Sequence, residues 1–284
     1  MYSIIIATCN RRNSLLKVID CLNKQSFKPE KLIIVDSSEE NQDYLSDDIS
    51  IIYRHVRYKS AAKQRNEGAQ LCNSDYIVFL DDDVEFERDF FERIFNLVKA
   101  KNILIAGPRQ IGAEIKKPGL LLKGYYRLQA GYKDETYGGK VFGAGINCYP
   151  CYEHQHDELL EVSWLPSTCL VIKNSIFNEV KFPDFEGYSY AEDVFLTASL
   201  AKKYPVYILR NISYLHHSIT TNFKENILAL NKMKLKNQKI IAEQIVGLKG
   251  IKLQSKVLLH KLFLSLAYLK NKKNSFLHIR SIWQ

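Results

Sequence analysis

The chain lacks any stretch approaching the ~18 uninterrupted apolar residues that a membrane-crossing helix needs, so no span is expected. Its opening, MYSIIIATCNRR, holds an apolar run too short for a secretory leader, with no basic residues ahead of it. Neither G-x-G-x-x-G nor G-x-x-x-x-G-K-[ST] occurs, which argues against a classical dinucleotide site and against a P-loop. Cysteine is sparse, six in 284 residues, and in a chain with no leader these thiols read as reduced core residues. One group differs: CYPCYEHQH places Cys148, Cys151, His154 and His156 close together. C-x-x-C is a common zinc half-site, but the histidines lack the usual spacing and no second cysteine pair follows. A polar loop facing substrate is the expectation there, and the cytoplasm is the expected compartment.

Acidic residues are scarce in the last part of the chain. Residues 223–284 hold 13 Lys/Arg against 2 Asp/Glu, leaving 27 against 29 in residues 1–222. The body is therefore near neutral and the tail strongly basic. A composition that is 46% hydrophobic and 25% charged excludes a disordered chain, and the length allows one large domain with an appendage.

Short β-branched runs alternate with helical patterns. SIIIAT, KLIIVDSS, ISIIY and YIVFL read as buried strands. NSLLKVIDCLNKQ, with Asn13 or Ser14 as cap, SAAKQRNEGAQLC and ERDFFERIFNLVKA read as helices. Strand–helix alternation with continuous apolar strands predicts an α/β fold, a mostly parallel sheet flanked by helices. Ligands of such sheets sit at the carboxyl ends of strands, where strand order switches. Regularity drops over 107–160, a segment rich in Gly, Tyr and Lys, and resumes with VSWLPSTCLVIKNSIF, AEDVFLTASLAKKY and VYILRNISYLHHS.

YIVFLDDDV raises the sharpest chemical question, because Asp81, Asp82 and Asp83 repel one another at the end of a buried strand. A solvated turn is one answer. A divalent-cation site is the other, since Mg²⁺ and Mn²⁺ take carboxylate oxygens and keep positions for phosphate. Downstream, Glu192 and Asp193 fall in the first turn of a helix, where the dipole favours anions.

Taken in order, IIIATCNR, IIVDSS, AAKQRNEGA, FLDDDV and AEDVFL resemble the motifs of the GT-A glycosyltransferases of family 2, over roughly residues 1–220. The resemblance implies a Rossmann-like catalytic domain over 1–222, with 1–106 as the nucleotide-binding half and 107–222 as the acceptor half. It also implies an inverting, Mn²⁺- or Mg²⁺-dependent enzyme. Ala7, Thr8 and Arg11 match the loop that meets the nucleotide, and Asp36 the acid that hydrogen-bonds the base. Lys63, Arg65 and Asn66 match the segment over the nucleotide and donor sugar, although Lys63 and Gln64 replace the commoner small residue. Asp81, with Asp82 beside it, matches the donor side of the D-x-D pair, and Asp83 the metal ligand. Asp193 matches the catalytic base, with Glu192 beside it on the acceptor side. A downstream histidine used on the metal or diphosphate is matched by His216 or His217, and the expectation falls on His217. Trp164 reads as core or as an acceptor platform. The donor is expected to be a UDP- or dTDP-sugar, and the acceptor a growing surface polysaccharide or lipid-linked oligosaccharide.

Two rivals stay open at this level: a sugar-1-phosphate nucleotidyltransferase and a noncatalytic glycan-binding or scaffold protein. ATCNRRNS has no glycine where a nucleotidyltransferase carries a Gly-rich loop. The basic segment 251–283 places Leu258, Leu262, Leu266 and Leu269 at roughly helical spacing among lysines. Such a helix lies on an anionic bilayer, packs on the catalytic domain, or binds a partner. No nucleic-acid motif accompanies the charge, so nucleic acid is not an expected partner.

Overall fold

The computed structural model describes all residues except 47, 114–117, 133–135, 151–156, 186–189, 218–226, 271–274 and 284. Its core is a sheet whose first strands are apolar on both sides. β1 (Tyr2–Thr8) lies between β2 (Lys31–Asp36) and β4 (Tyr76–Leu80), with β3 (Ser50–His55) outside β2, all four parallel. Alternate residues of one strand feed opposite layers. Ile4, Ile6, Val78 and Leu80 pack with α1 (Arg12–Asn23) and α3 (Phe90–Ala100). Ile5, Ile77 and Phe79 pack on the other face with α2 (Ala61–Gln70). Helices on both faces explain why these strands read as unbroken apolar runs.

The sheet continues beyond β4 into β10 (Cys169–Lys173), which is antiparallel, then β6 (Ile105–Gln110) and β11 (Val206–His216), which run parallel to each other. The two-residue β5 (Val84–Glu85) pairs with the end of β11, and β9 (Leu159–Val162) with its beginning. A register shift between Leu209 and Ser213 bends β11, so that its last residues return to the acidic turn after β4. The short α5 (Asn174–Phe177) and α6 (Glu192–Leu200) complete the second layer.

Two details differ from the sequence reading. The stretch 107–160 is more ordered than its composition implies: it holds the end of β6, helix α4 (Leu120–Ala130), the hairpin β7 (Val141–Phe142) and β8 (Ile146–Asn147), and the start of β9. Helix α1 begins at Arg12 with no side-chain cap, and the Ser14 hydroxyl instead donates to the Asp82 carbonyl at 2.6 Å, tying the helix to the acidic turn. The basic tail is helical, as α7 (Ile227–Gln244), α8 (Gly250–Lys270) and α9 (Ser275–Trp283). Among the described residues, no helix is long and apolar enough to cross a membrane.

Candidate functional site

Thr8 and Asp36 end their strands in register, and Leu80 hands the chain to the three aspartates opposite Ile6. Because β1 is flanked by β2 on one side and β4 on the other, the chain order switches here and the strand ends open into a crevice. The crevice measures ≈ 1270 Å³. Ala7, Thr8, Arg11 and Asp81 line one wall; Tyr149, Trp164, Tyr190 and Asp193 line the other.

Glycine 68 sets how α2 meets this crevice. A Cβ there would lie 2.5 Å from Ile5 Cγ2, so only glycine lets the helix sit this close to β1. One turn earlier, Gln64 donates from Nε2 to the carbonyls of Thr8 at 2.9 Å and Val35 at 2.7 Å. Arg65 then extends over Phe182, its guanidinium 5.5 Å from the ring centroid. It donates to Asp81 Oδ1 at 2.9 Å and to Glu192 Oε1 at 3.2 Å. One buried cation thus joins the two walls.

The three aspartates have different jobs. Asp82 is buried and accepts from Thr8 Oγ1 at 2.6 Å and from Arg11 at 2.6 Å. Burial pushes its carboxyl up to about 6, against the pull of Thr8 and Arg11. Asp83 is also buried, with Oδ2 accepting from Arg11 at 2.9 Å and Oδ1 lying 3.0 Å from His216 Nε2. Asp81, Asp83 and His216 each bring one ligand atom to a group spanning no more than 4.8 Å. Two carboxylate oxygens and one imidazole nitrogen form a donor set that suits Mn²⁺, and also Mg²⁺ with its preference for oxygen met by phosphate and water. The hydrogen bond with Asp83 raises the imidazole of His216 above its ordinary value, against the effect of burial.

His217 is not part of this group. Successive strand side chains point to opposite faces, and its Nε2 lies 3.0 Å from Glu85 Oε2 while its backbone N–H donates to the Asp83 carbonyl. The histidine that meets the carboxylates is therefore His216, a correction to the choice of His217.

On the opposite wall, Ala191 adopts φ 66°, a left-handed conformation costly for a residue with a Cβ. It turns the chain into α6 so that Glu192 and Asp193 enter the first turn. Asp193 Oδ2 accepts from the Ser167 N–H at 3.3 Å, and Oδ1 from the Val194 N–H at 2.7 Å. Burial raises both carboxyls above the usual range, opposed by Arg65; Asp193 raises Glu192 further, and Asp81 raises Asp193. A carboxylate made more basic at a crevice wall is equipped to accept a proton.

Other sequence-predicted residues lie elsewhere. Asp36 is fully buried, accepting at Oδ1 from the Ser38 N–H and hydroxyl and at Oδ2 from Tyr53 at 3.2 Å. Ser37 and Ser38 form the crevice surface above it. Lys63 pairs with Asp184 at 2.9 Å on the outer side of α2. Asn66 closes a two-way bond with the backbone of Phe182. Of the three α2 residues, only Arg65 reaches the crevice. Trp164 is buried, donating from Nε1 to the Cys148 carbonyl at 3.0 Å, and its ring meets Tyr149 edge-on at 4.9 Å. Cys148 is a buried thiol pushed up to about 11 by burial, whereas Cys151, His154 and His156 lie outside the described residues. Ser167 and Tyr190 were given no role by sequence, and Gln64 stood out only as a departure from the commoner small residue; all three lie beside residues that were singled out.

The model of the family described as "Glycosyl transferase family 2" matches residues 3–150. The amylovoran biosynthesis glycosyltransferase AmsB of Erwinia amylovora is 29% identical over 108 residues, 34% of this chain and 36% of its own. An uncharacterized glycosyltransferase of Haemophilus influenzae is 28% identical over 102 residues, 35% of either chain. The match thus spans about a third of the length of these curated relatives. Among solved structures, S. aureus TarS 1-349 in complex with UDP-GlcNAc superposes with a TM-score of 0.57 at 12% identity, over 93% of this chain and 71% of its own. GalNAc-T7 with UDP, GalNAc and Mn²⁺ gives 0.59 at 11% identity, over 86% of this chain and 48% of its own. These likenesses establish the GT-A fold.

Proposed function

Because the chain belongs to glycosyl transferase family 2, we propose that it is an inverting, metal-dependent enzyme moving a sugar from a UDP- or dTDP-sugar to a growing surface polysaccharide or lipid-linked oligosaccharide. The observation that carries this reading is the pairing of two chemistries at one crevice, which is lined by Asp81, the member of the Asp81–Asp83–His216 group that reaches it, and by Asp193. The catalytic body is 1–222, donor half 1–106 and acceptor half 107–222, with 223–284 as a helical extension. Work at the inner face of the cell membrane fits such an acceptor.

Asp81, Asp83 and His216 would hold Mn²⁺ or Mg²⁺, which when bound supplies Lewis-acid stabilisation of the departing diphosphate. The chain's own residues do the rest. Thr8 and Arg11 fix Asp82 and orient Asp83, while Arg65 holds Asp81 against the acceptor wall through Glu192. Asp193 accepts the proton of the acceptor hydroxyl as it attacks the anomeric carbon from the face opposite the leaving group. One base and one displacement invert that centre.

Release of nucleoside diphosphate from UDP-, dTDP- and GDP-sugars, with Mn²⁺, Mg²⁺ or EDTA, tests this. One donor is expected to turn over, and EDTA and Asp83→Ala to abolish it. Asp193→Asn is expected to lower the rate by roughly 10²–10⁴-fold while leaving nucleotide binding intact. Nucleotide binding that ignores metal in calorimetry would sink the reading.

A further inference from the structure

Helix α8 is apolar around most of its circumference but covered only in part. Tyr125 of α4 stacks on Phe263 at 3.8 Å and bonds His260, and Trp283 of α9 donates to Ser265. Among the described residues, nothing covers the remaining face. Ile251, Leu258, Leu262, Leu266 and Leu269 are between 47% and 83% exposed. At 100° per residue they fall within an arc of about 80°, along about 27 Å of helix. Leu121 and Leu128, 86% and 60% exposed, belong to α4, the helix that stacks on α8 through Tyr125. Both helices meet the body on one side of their mutual contact, through Tyr126 against Tyr137 and Phe142 on α4 and through His260 against Gln238 on α8. These leucines emerge on the other side. A contiguous apolar row of this kind marks an interaction surface.

Charge selects the occupant. Lys252 and Lys270 lie along one edge of the row and Lys261 along the other by helical position, and the segment 223–284 carries 13 basic residues against 2 acidic. A second copy would set this basic rim against its own like. An anionic lipid surface pairs with the rim and takes up the leucines, with the lysine stems reaching to the headgroups. We propose that the leucine row of α8, with Leu121 and Leu128 of α4, is a docking face for an anionic phospholipid bilayer. This deepens the function proposed above, on which it rests for the lipid-linked acceptor. The face is joined to the acceptor wall through α7, whose Gln238 bonds His260 of α8 and whose Ile241 packs with Trp164 and Val194.

The test sediments the whole chain with phosphatidylcholine vesicles, with and without phosphatidylglycerol, at low and high salt. Anionic vesicles are expected to bind roughly tenfold or more over neutral ones, and salt to release the protein. Leu262→Glu combined with Leu266→Glu is expected to lower partitioning roughly tenfold or more. Leu45→Glu, an equally drastic change at an exposed leucine outside the row, should leave it unchanged. Thermal melting and UDP–Mn²⁺ calorimetry on each variant confirm that the fold and donor site persist. Vesicle binding without nucleotide binding by the wild type would sink the transferase reading and leave the docking face standing. No vesicle binding, or binding indifferent to lipid charge, overturns the docking face. So does a concentration-dependent dimer, broken by the double change, in a protein that ignores vesicles.

Discussion

At the end of β11 two adjacent histidines point opposite ways, His216 to Asp83 and His217 to Glu85. His216→Ala is therefore expected to weaken Mn²⁺ binding by at least the roughly 10–100-fold that losing an outer-shell partner of a metal costs. His217→Ala should leave it unchanged, in a calorimetric titration of Mn²⁺ in the presence of UDP. Equal losses would remove His216 from the ligand set. Sequence alone could not choose, because strand parity is what decides and the irregularity between Leu209 and Ser213 breaks it. Counting alternation from the apolar start of β11 gives the wrong face. Asp36 makes the same point differently. Its place at a strand end level with Thr8 was legible, but Ser38 and Tyr53 close around it, and side chains from a turn and a neighbouring strand leave no periodic signal. The acidic turn and Asp193 were legible because their carboxylates follow directly from the ends of regular elements.

Elements were legible where one face is apolar and the other polar, as in α3, or where a strand is apolar throughout, as in β1 and β4. Helix α4 was not. LLLKGYYRLQA is apolar on several sides and carries a glycine mid-helix, which weakens helix propensity. It is stabilised by packing on α8, through Tyr125, Gln129 and Phe263. At that contact His260 accepts at Nδ1 from the Tyr125 hydroxyl and donates from Nε2 to Gln238 Oε1 at 3.1 Å. Both ring nitrogens are thus satisfied in the neutral form, and burial lowers the imidazole to about 4. The folded value lies below the unfolded one of about 6.5, so the unfolded chain takes up the proton first as pH falls. Stability from this site is complete above that unfolded value and drains away between it and about pH 4, by up to about 3 kcal/mol. Urea denaturation at several pH values in that window should show the fall, and His260→Gln should flatten it. An unchanged slope in the variant would assign the acid sensitivity to the carboxylates alone.

Over the whole molecule, a catalytic body with a basic appendage was the expectation from charge, and the packing ties the two together. Ile241 of α7 is fully buried in a cluster with Trp164, Ala191, Val194 and Ala198. Asn237 donates to the Tyr190 carbonyl at 3.0 Å. Gly145, at φ 78°, lies so near α7 that a Cβ would be 2.0 Å from the Gln238 carbonyl oxygen. These contacts reach the acceptor wall, whereas the two large clusters around β1 and β4 contain none of the described residues of 223–284. Uncovering a buried side chain of this size costs about 1.5–3 kcal/mol, and a domain has only about 5–15 kcal/mol in all. A fragment ending at residue 222 is therefore expected to melt well below the whole chain, with the loss concentrated at Trp164, whose near-ultraviolet dichroism and fluorescence report it directly. Gly145→Ala should move the same signal in the same direction by a smaller amount. A fragment that melts cooperatively at the temperature of the intact protein, with an unaltered tryptophan signal, would make residues 223–284 a separate appendage, and the acceptor wall would then stand without them.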